Sequence, residues 1–352
     1  MIGLLGATGA VGSVVARRLA AAGRGPLRLG ARDVTRLQAL ASEVPGADVL
    51  RCDLDDPGSL AAFCAGCRLV VQCAGPSYQV LGTVARAALA AGAHYVDAAG
   101  DRVAIDDLGG APAGCAVVFS AGLLPGLGGL LPRLLVDGEG SPHCLEVYAG
   151  GVVPLTRLSA VDALLTRGPR FGTPFAAWRG GRVVERALSP LRGIHLPGFE
   201  RPADAIPFLS AEVAALAEQL RVPELRSYAV YPSARLPDAF AMAWADEETS
   251  LDDHAGAVMA AADADLAEQE AHFVLLVHTE PAGRRLLMRT ADPYGLTGAV
   301  TALAAGAVLD GAIPEGIHCA AEVLDPKTVA GALLRDPTVT TLTWTSGRTR
   351  CE

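Results

Sequence analysis

Along the first 120 residues, short apolar runs alternate with segments of helical period. Ile2 to Leu5 is a compact apolar run; Val11, Val14, Val15 and Leu19 then fall on one face of a helix, with Ser13 and Arg17 on another. The alternation continues through "PLRLGARD", "ADVLRCDLDD", "RLVVQCAGP", the helical "LGTVARAALAAG", "AHYVDAAGD" and "CAVVFSAG". Strand four is nearly all apolar, as a parallel strand covered on both faces must be. Strands and helices in this order predict an α/β fold with a doubly wound parallel sheet. Further on, "HCLEVYAG", "RSYAVYPS", "HFVLLVHTE" and "RRLLMRT" alternate like half-buried strands, with Val274, Leu276 and His278 set against Phe273, Leu275 and Val277. They predict a second α/β (α+β) domain on four or five strands. The boundaries are placed at 1–122, 123–290 and a C-terminal segment, 291–352.

Between the first strand and helix stand Gly6, Gly9 and Gly12, spaced G-x-x-G-x-x-G with Ala7, Thr8, Ala10 and Val11 between them. Gly6 permits the tight turn, Gly9 lets the backbone approach a pyrophosphate, and Gly12 lets the helix pack closely on its strand. The phosphates then sit at the helix N-terminus, where free N–H groups and the dipole favour anions. About 20 residues on, dinucleotide-binding folds place an acid on a ribose 2′-hydroxyl or an arginine on a 2′-phosphate. Twenty residues beyond Gly12 is Arg32, after the small Gly30 and Ala31, and this favours NADP (NADPH) over NAD; Asp33, next along, is the rival reading. Ligands of open α/β sheets bind beyond the carboxyl ends of the strands. Asp53 and Leu54 there stand where the adenine would lie, Cys73, Ala74, Gly75 and Pro76 form a small-residue turn for the ribose to cross, and Gly122 follows the sixth strand.

"GATGAVG" at 6–12, "CAGPSYQVLGTVARAALAAGAHYVDAAGD" at 73–101, "SAGLLPGLGGLLPRLL" at 120–135 and "DPYGLTGAVTALAAGAVLDGAIPEGIHCAAEVLDP" at 292–326 together resemble the saccharopine dehydrogenase/saccharopine reductase-like oxidoreductases. The resemblance implies a Rossmann domain, a second domain that forms the substrate floor and a homodimer interface, and a late helix returning to the Rossmann half. It also implies hydride transfer from NAD(P)H to the C=N or C=O of a small metabolite. Asp97 and Asp101 match the acidic positions of that pattern, as groups that orient the nicotinamide amide, receive a substrate amine or relay a proton; Tyr78, directly after the turn, is the candidate proton donor. Asp97 reads equally as a cap and Tyr78 equally as a packing aromatic. Two alternatives stay open: a carrier-bound enoyl or imine reductase, and an NADP-binding sensor or scaffold without turnover. In the second domain Arg157, Arg170, His195 and Arg235 are candidates for a substrate carboxylate.

Composition narrows the classes. With 352 residues, 51% of them hydrophobic, the chain has material for two domains. A net charge of -9 without a basic stripe or aromatic stacking array excludes a nucleic-acid partner. The apolar runs near 123–135 and 299–309 are broken by Gly, Pro or polar residues, and the N-terminus reads as a strand rather than a secretory signal, so a cytoplasmic protein off the membrane is expected. The eight cysteines then read as reduced thiols; Cys64 and Cys67 form C-x-x-C without a second pair, and His143, His278 and His318 are scattered, so no metal is expected. Lys327 is the only lysine, which argues against Schiff-base chemistry.

Overall fold

The computed structural model describes residues 1–136, 142–166, 168, 170–246, 248–281 and 283–345. The chain divides into two compact units: Met1–Leu127 with Tyr294–Asp325, and Gly128–Pro293 with the chain from Pro326 on.

The first unit begins with β1 (Ile2–Leu5), α1 (Ala10–Ala21), β2 (Leu27–Ala31), α2 (Val34–Glu43), β3 (Asp48–Arg51) and α3 (Pro57–Cys64). It continues with β4 (Leu69–Gln72), the short α4 (Ser77–Val80), α5 (Thr83–Ala90), β5 (His94–Asp97), α6 (Arg102–Leu108) and β6 (Ala116–Phe119). The strands are all parallel, in the order β3-β2-β1-β4-β5-β6, and a seventh strand, Gly316–Cys319, pairs parallel to β6. Strand order reverses between β1 and β4, which is where an open α/β sheet forms its binding crevice. The helix Pro293–Leu309 leads back to the seventh strand, with one face buried and the stripe of Ala302, Leu303, Gly306 and Ala307 half-buried. A Cβ on its Gly298 would stand 2.8 Å from Cβ of Val14, so only glycine lets it lie this close to α1. Arg24 closes the return with a two-pronged pair to Asp310 at 2.5 and 2.7 Å.

Small residues on one face of the sheet make room for one large side chain. Phe63, from α3, is fully buried and lies across β1 and β2, where a Cβ on Gly30 would come within 2.4 Å of its ring and one on Gly3 within 3.0 Å. Cys64, Cys67, Val70, Tyr95 and Phe119 belong to the same core. Burial pushes the Cys64 thiol up to about 12, so the C-x-x-C pair serves packing. Cys351 lies outside the described residues.

The second unit carries a ten-stranded mixed sheet. Arg182–Val184, Ala177–Arg179, Glu224–Tyr231, Cys144–Val152, His272–Glu280, Arg285–Thr290 and Val339–Trp344 form its path, and Ala203–Ser210 pairs with Glu224–Tyr231 and carries Leu191–Ile194 and Gly172–Pro174. The expectation of four or five strands is corrected, because several of the others are three-residue pieces too short to show a period. Strand His272–Glu280 also departs from the half-buried expectation: Val274, Leu275, Leu276 and Val277 are all fully buried. One face packs with Leu188, Leu191, Ile194, Leu196 and Phe199 in a common cluster, and helices pack against the sheet, among them Ala211–Gln219 and Leu251–Leu266. The segment 291–352 is shared, its residues 294–325 completing the first unit and Val339–Trp344 the second sheet.

Phe63→Ala is expected to destabilise the first unit by about 3–5 kcal/mol, since the cavity sits under two glycines that cannot fill it. Urea unfolding followed by far-UV circular dichroism checks this.

Candidate functional site

Gly6 is left-handed at φ 75, and a Cβ there would sit 2.4 Å from the backbone nitrogen of Ala74. A Cβ at Gly12 would stand 2.2 Å from the Gly6 carbonyl oxygen. Gly9 differs, since its Cβ would meet only that same carbonyl, at 3.2 Å. The loop is thus tight against the protein at Gly6 and Gly12 and open at Gly9. Gly9 caps α1 without a side chain, the first turn holds no acid, and the leading N–H groups of a helix have no intrahelical acceptor. A dinucleotide pyrophosphate fits this cradle. Gly6 and Ala7 fix the loop by donating from their backbone N–H groups to the Gly30 carbonyl at 2.8 and 3.1 Å.

At the end of β2, Arg32 is exposed immediately past the strand. Asp33 is the N-cap of α2, its carboxylate accepting the backbone N–H of Arg36 at 3.1 Å, so the rival acid is engaged as a cap. Arg36 escaped the sequence reading, which stopped at the motif's 20-residue interval; its Nη2 donates to the Thr8 carbonyl of the glycine loop at 2.8 Å. The signal was the repeat of Arg32 four residues later. Past β3, Asp53 accepts the N–H of Asp55 at 3.3 Å and stands 3.5 Å from Nη2 of Arg51, with the half-buried Leu54 beside it.

The turn after β4 is braced from beneath. Buried Gln72 donates from Nε2 to the Ala74 carbonyl at 3.0 Å and accepts the Ala74 N–H at 3.2 Å, while the Cys73 N–H donates to the Leu5 carbonyl at 2.9 Å. Gly75 and Pro76 then lead into α4, which carries Tyr78. The Tyr78 hydroxyl donates to Oδ2 of Asp101 at 2.8 Å, and Oδ1 of Asp101 caps α6 by accepting the Val103 N–H at 3.0 Å. Two of the three predicted catalytic residues therefore meet, and Asp101 is both a cap and a partner of Tyr78.

Asp97 has a different setting. It is only 4% exposed, and it accepts the Tyr95 hydroxyl at 2.7 Å and the N–H groups of Ala99 and Gly100 at 2.9 and 2.8 Å. Burial lifts its carboxyl above the ordinary carboxylate range despite those three donors, and the neighbouring Asp101 charge adds to the rise. The backbone of the turn 97–100 is equally engaged: the Ala121 N–H donates to the Asp97 carbonyl at 2.9 Å and the Ser120 N–H to the Gly100 carbonyl at 2.7 Å. Gly122 is fixed by closeness, a Cβ there standing 2.4 Å from the Ala98 carbonyl oxygen. The ends of β4, β5 and β6 are thereby joined into one floor, rimmed by Tyr78 and Asp101.

In the second unit Arg157 pairs with Asp252, and Arg235 with Asp265 and Glu268 at 2.8 and 2.5 Å. These arginines tether the two ends of helix Leu251–Leu266. Arg170 and His195 are exposed on other segments. A ladder without a signal in the sequence crosses the second sheet: Arg226 donates to Glu146 at 2.9 Å and to Glu224 at 3.0 Å, beside the stacked rings of Tyr148 and Tyr228.

Residues 2–114 match the family described as the saccharopine dehydrogenase NADP binding domain. Over 98% of this chain and 99% of the other, the fold is similar to that of apo saccharopine dehydrogenase (L-Glu forming) from Saccharomyces cerevisiae, with a TM-score of 0.64 and 16% identity. Smaller likenesses cover 27% of this chain: the actinorhodin polyketide ketoreductase with NADPH (51% of that chain, 22% identity, TM-score 0.24) and a nucleoside-diphosphate-sugar epimerase from Pseudomonas aeruginosa (32% of that chain, 24% identity, TM-score 0.24). No curated protein matches the sequence. No helix among the described residues is long and apolar enough to cross a membrane.

The raised Asp97 carboxyl has a definite sign in stability. The folded protein holds that proton more tightly than the unfolded chain, so the contribution is complete below about pH 4 and is lost as the pH rises through the raised midpoint. Melting temperatures of wild type and Asp97→Asn across pH 4–8 are expected to diverge accordingly, the wild type losing ground to the variant as the pH rises. A constant difference over that range would mean an ordinary carboxyl.

Proposed function

We propose that this protein is an NADPH-dependent reductase acting on the C=N or C=O bond of a small metabolite, a reading supported by the match of residues 2–114 to the saccharopine dehydrogenase NADP binding domain family. The observation that carries the reading is the Tyr78–Asp101 hydrogen bond on the rim of the floor formed by β4, β5 and β6. NADPH supplies a hydride when bound. The cradle of Gly6, Ala7, Thr8, Gly9, Ala10, Val11 and Gly12 holds its pyrophosphate, Arg32 its 2′-phosphate and Asp53 its adenine. The turn from Cys73 to Pro76 supports the ribose.

The chain's own task in the reaction is the proton. Hydride addition at the carbon of the acceptor would leave negative charge on its oxygen or nitrogen, and the Tyr78 hydroxyl, which at rest donates its single proton to Asp101, turns that proton to the acceptor. Asp101 orients that hydroxyl. Asp97 is a positioning residue, holding Ala99 and Gly100 so that Asp101 meets Tyr78. A cytoplasmic homodimer belongs to the same proposal.

Two measurements test this. Titrating the protein with NADPH and with NADH by nicotinamide fluorescence should show a clear preference for NADPH that Arg32→Ala erodes; binding of neither nucleotide overturns the reductase reading and leaves a dinucleotide-shaped fold without its ligand. On the acceptor returned by a screen of amine and carbonyl pairs, Tyr78→Phe should lower kcat by roughly 10²–10⁴-fold with NADPH binding unchanged. An unaltered kcat assigns the proton to another group.

A further inference from the structure

Arg17, Arg28, Arg32, Arg36 and Arg51 of the first unit lie on or beside α1, β2, α2 and β3, and their charges are not equally used. Arg17 pairs with Glu43 at 2.7 Å, Arg28 faces Asp48 at 3.5 Å and Arg51 faces Asp53 at 3.5 Å. Among the described residues neither Arg32 nor Arg36 makes an ion pair, and the side chain of Arg36 hydrogen-bonds the Thr8 carbonyl. Both arginines are exposed, so each keeps donors for a ligand.

Their placement is also unfavourable for α2 itself. Asp33 is the N-cap, so Arg32 directly precedes the cap and Arg36 lies in the first turn, which holds no acid. Positive charge at that end opposes the helix dipole, whose N-terminus favours anions. The Asp33 carboxylate meets the dipole as the cap, and the two guanidinium groups beside it, both exposed, keep donors for a further anion. Arg36 further lies across the glycine loop, so whatever anion it takes is held next to the pyrophosphate cradle.

We infer that Arg36 is a second reader of the 2′-phosphate, acting with Arg32 and anchored to the glycine loop through the Thr8 carbonyl. The inference rests on the proposed NADPH reading and adds a specificity residue to it. A planar guanidinium suits both duties at once, one N–H to the carbonyl and others to phosphate oxygens. Discrimination between NADPH and NADH is then shared between a strand end and a helix turn.

Arg36→Gln separates the two duties, since an amide can still donate to the Thr8 carbonyl but carries no charge. Isothermal titration of the full chain with 2′,5′-ADP, 5′-ADP, NADPH and NADH is the readout. In Arg36→Gln, 2′,5′-ADP and NADPH are expected to bind roughly 10–100-fold more weakly, the scale of one charge-assisted hydrogen bond, while 5′-ADP and NADH are unchanged. Arg36→Ala should add a smaller loss common to all four ligands. Equal weakening of all four in Arg36→Gln, or none, overturns the inference while leaving the reductase reading intact. A wild-type protein that binds none of the four overturns both, and melting temperatures of the variants confirm that the comparison is between folded proteins.

Discussion

The first unit is organised around a place where two backbone segments come closer than any side chain would allow. Gly6, leaving β1, lies against Cys73 and Ala74, leaving β4, and Gly12 returns onto Gly6 from the other side. These contacts fix the start of α1 relative to the switch in strand order, and with it the direction of the free N–H groups that receive an anion. A methyl group at either position would push the cradle off the sheet. The openness at Gly9 has meaning only because its neighbours are so tightly set.

From that point the chemistry is arranged by hydrogen bonds between loops. Gln72 holds the turn after β4, Asp97 holds the turn after β5, and the backbone of residues 120–121 donates into the latter. Buried polar groups are costly unless satisfied, and here each one is satisfied by a loop that would otherwise be free to move. Tyr78 and Asp101 stand on elements that begin at these turns, so their 2.8 Å contact follows from how the floor is made.

The sequence announced the first sheet because β1, β4 and β6 are short, mostly apolar runs followed by small-residue turns, and because strand-like and helix-like segments alternate between them. Motif position singled out Tyr78 and Asp101, which the fold brings into contact, and Arg32, which stands exposed past β2. Arg36 was hidden because helix α2 offers many charged positions and only the fold turns this one toward Thr8. The paired setting of Asp97 was ambiguous for a similar reason: a capping acid and a reacting acid look alike until burial and donors are known. Gly316–Cys319 has too few residues to show a period, and the small strands of the second unit owe their existence to pairing with Glu224–Tyr231 and Ala203–Ser210, not to local preference.

The seventh strand of the first sheet also bears on how the chain is made. Gly316–Cys319 covers the edge of β6, yet the whole sequence from Gly128 to Pro293 belongs to the other unit. During synthesis from the N-terminus, six strands are available while the hydrogen-bonding edge of β6 stays open until the second unit has been translated. Unpaired edges invite pairing with other chains. The nascent protein therefore spends most of its synthesis with its dinucleotide fold unsealed, and chaperone demand should be concentrated in that interval.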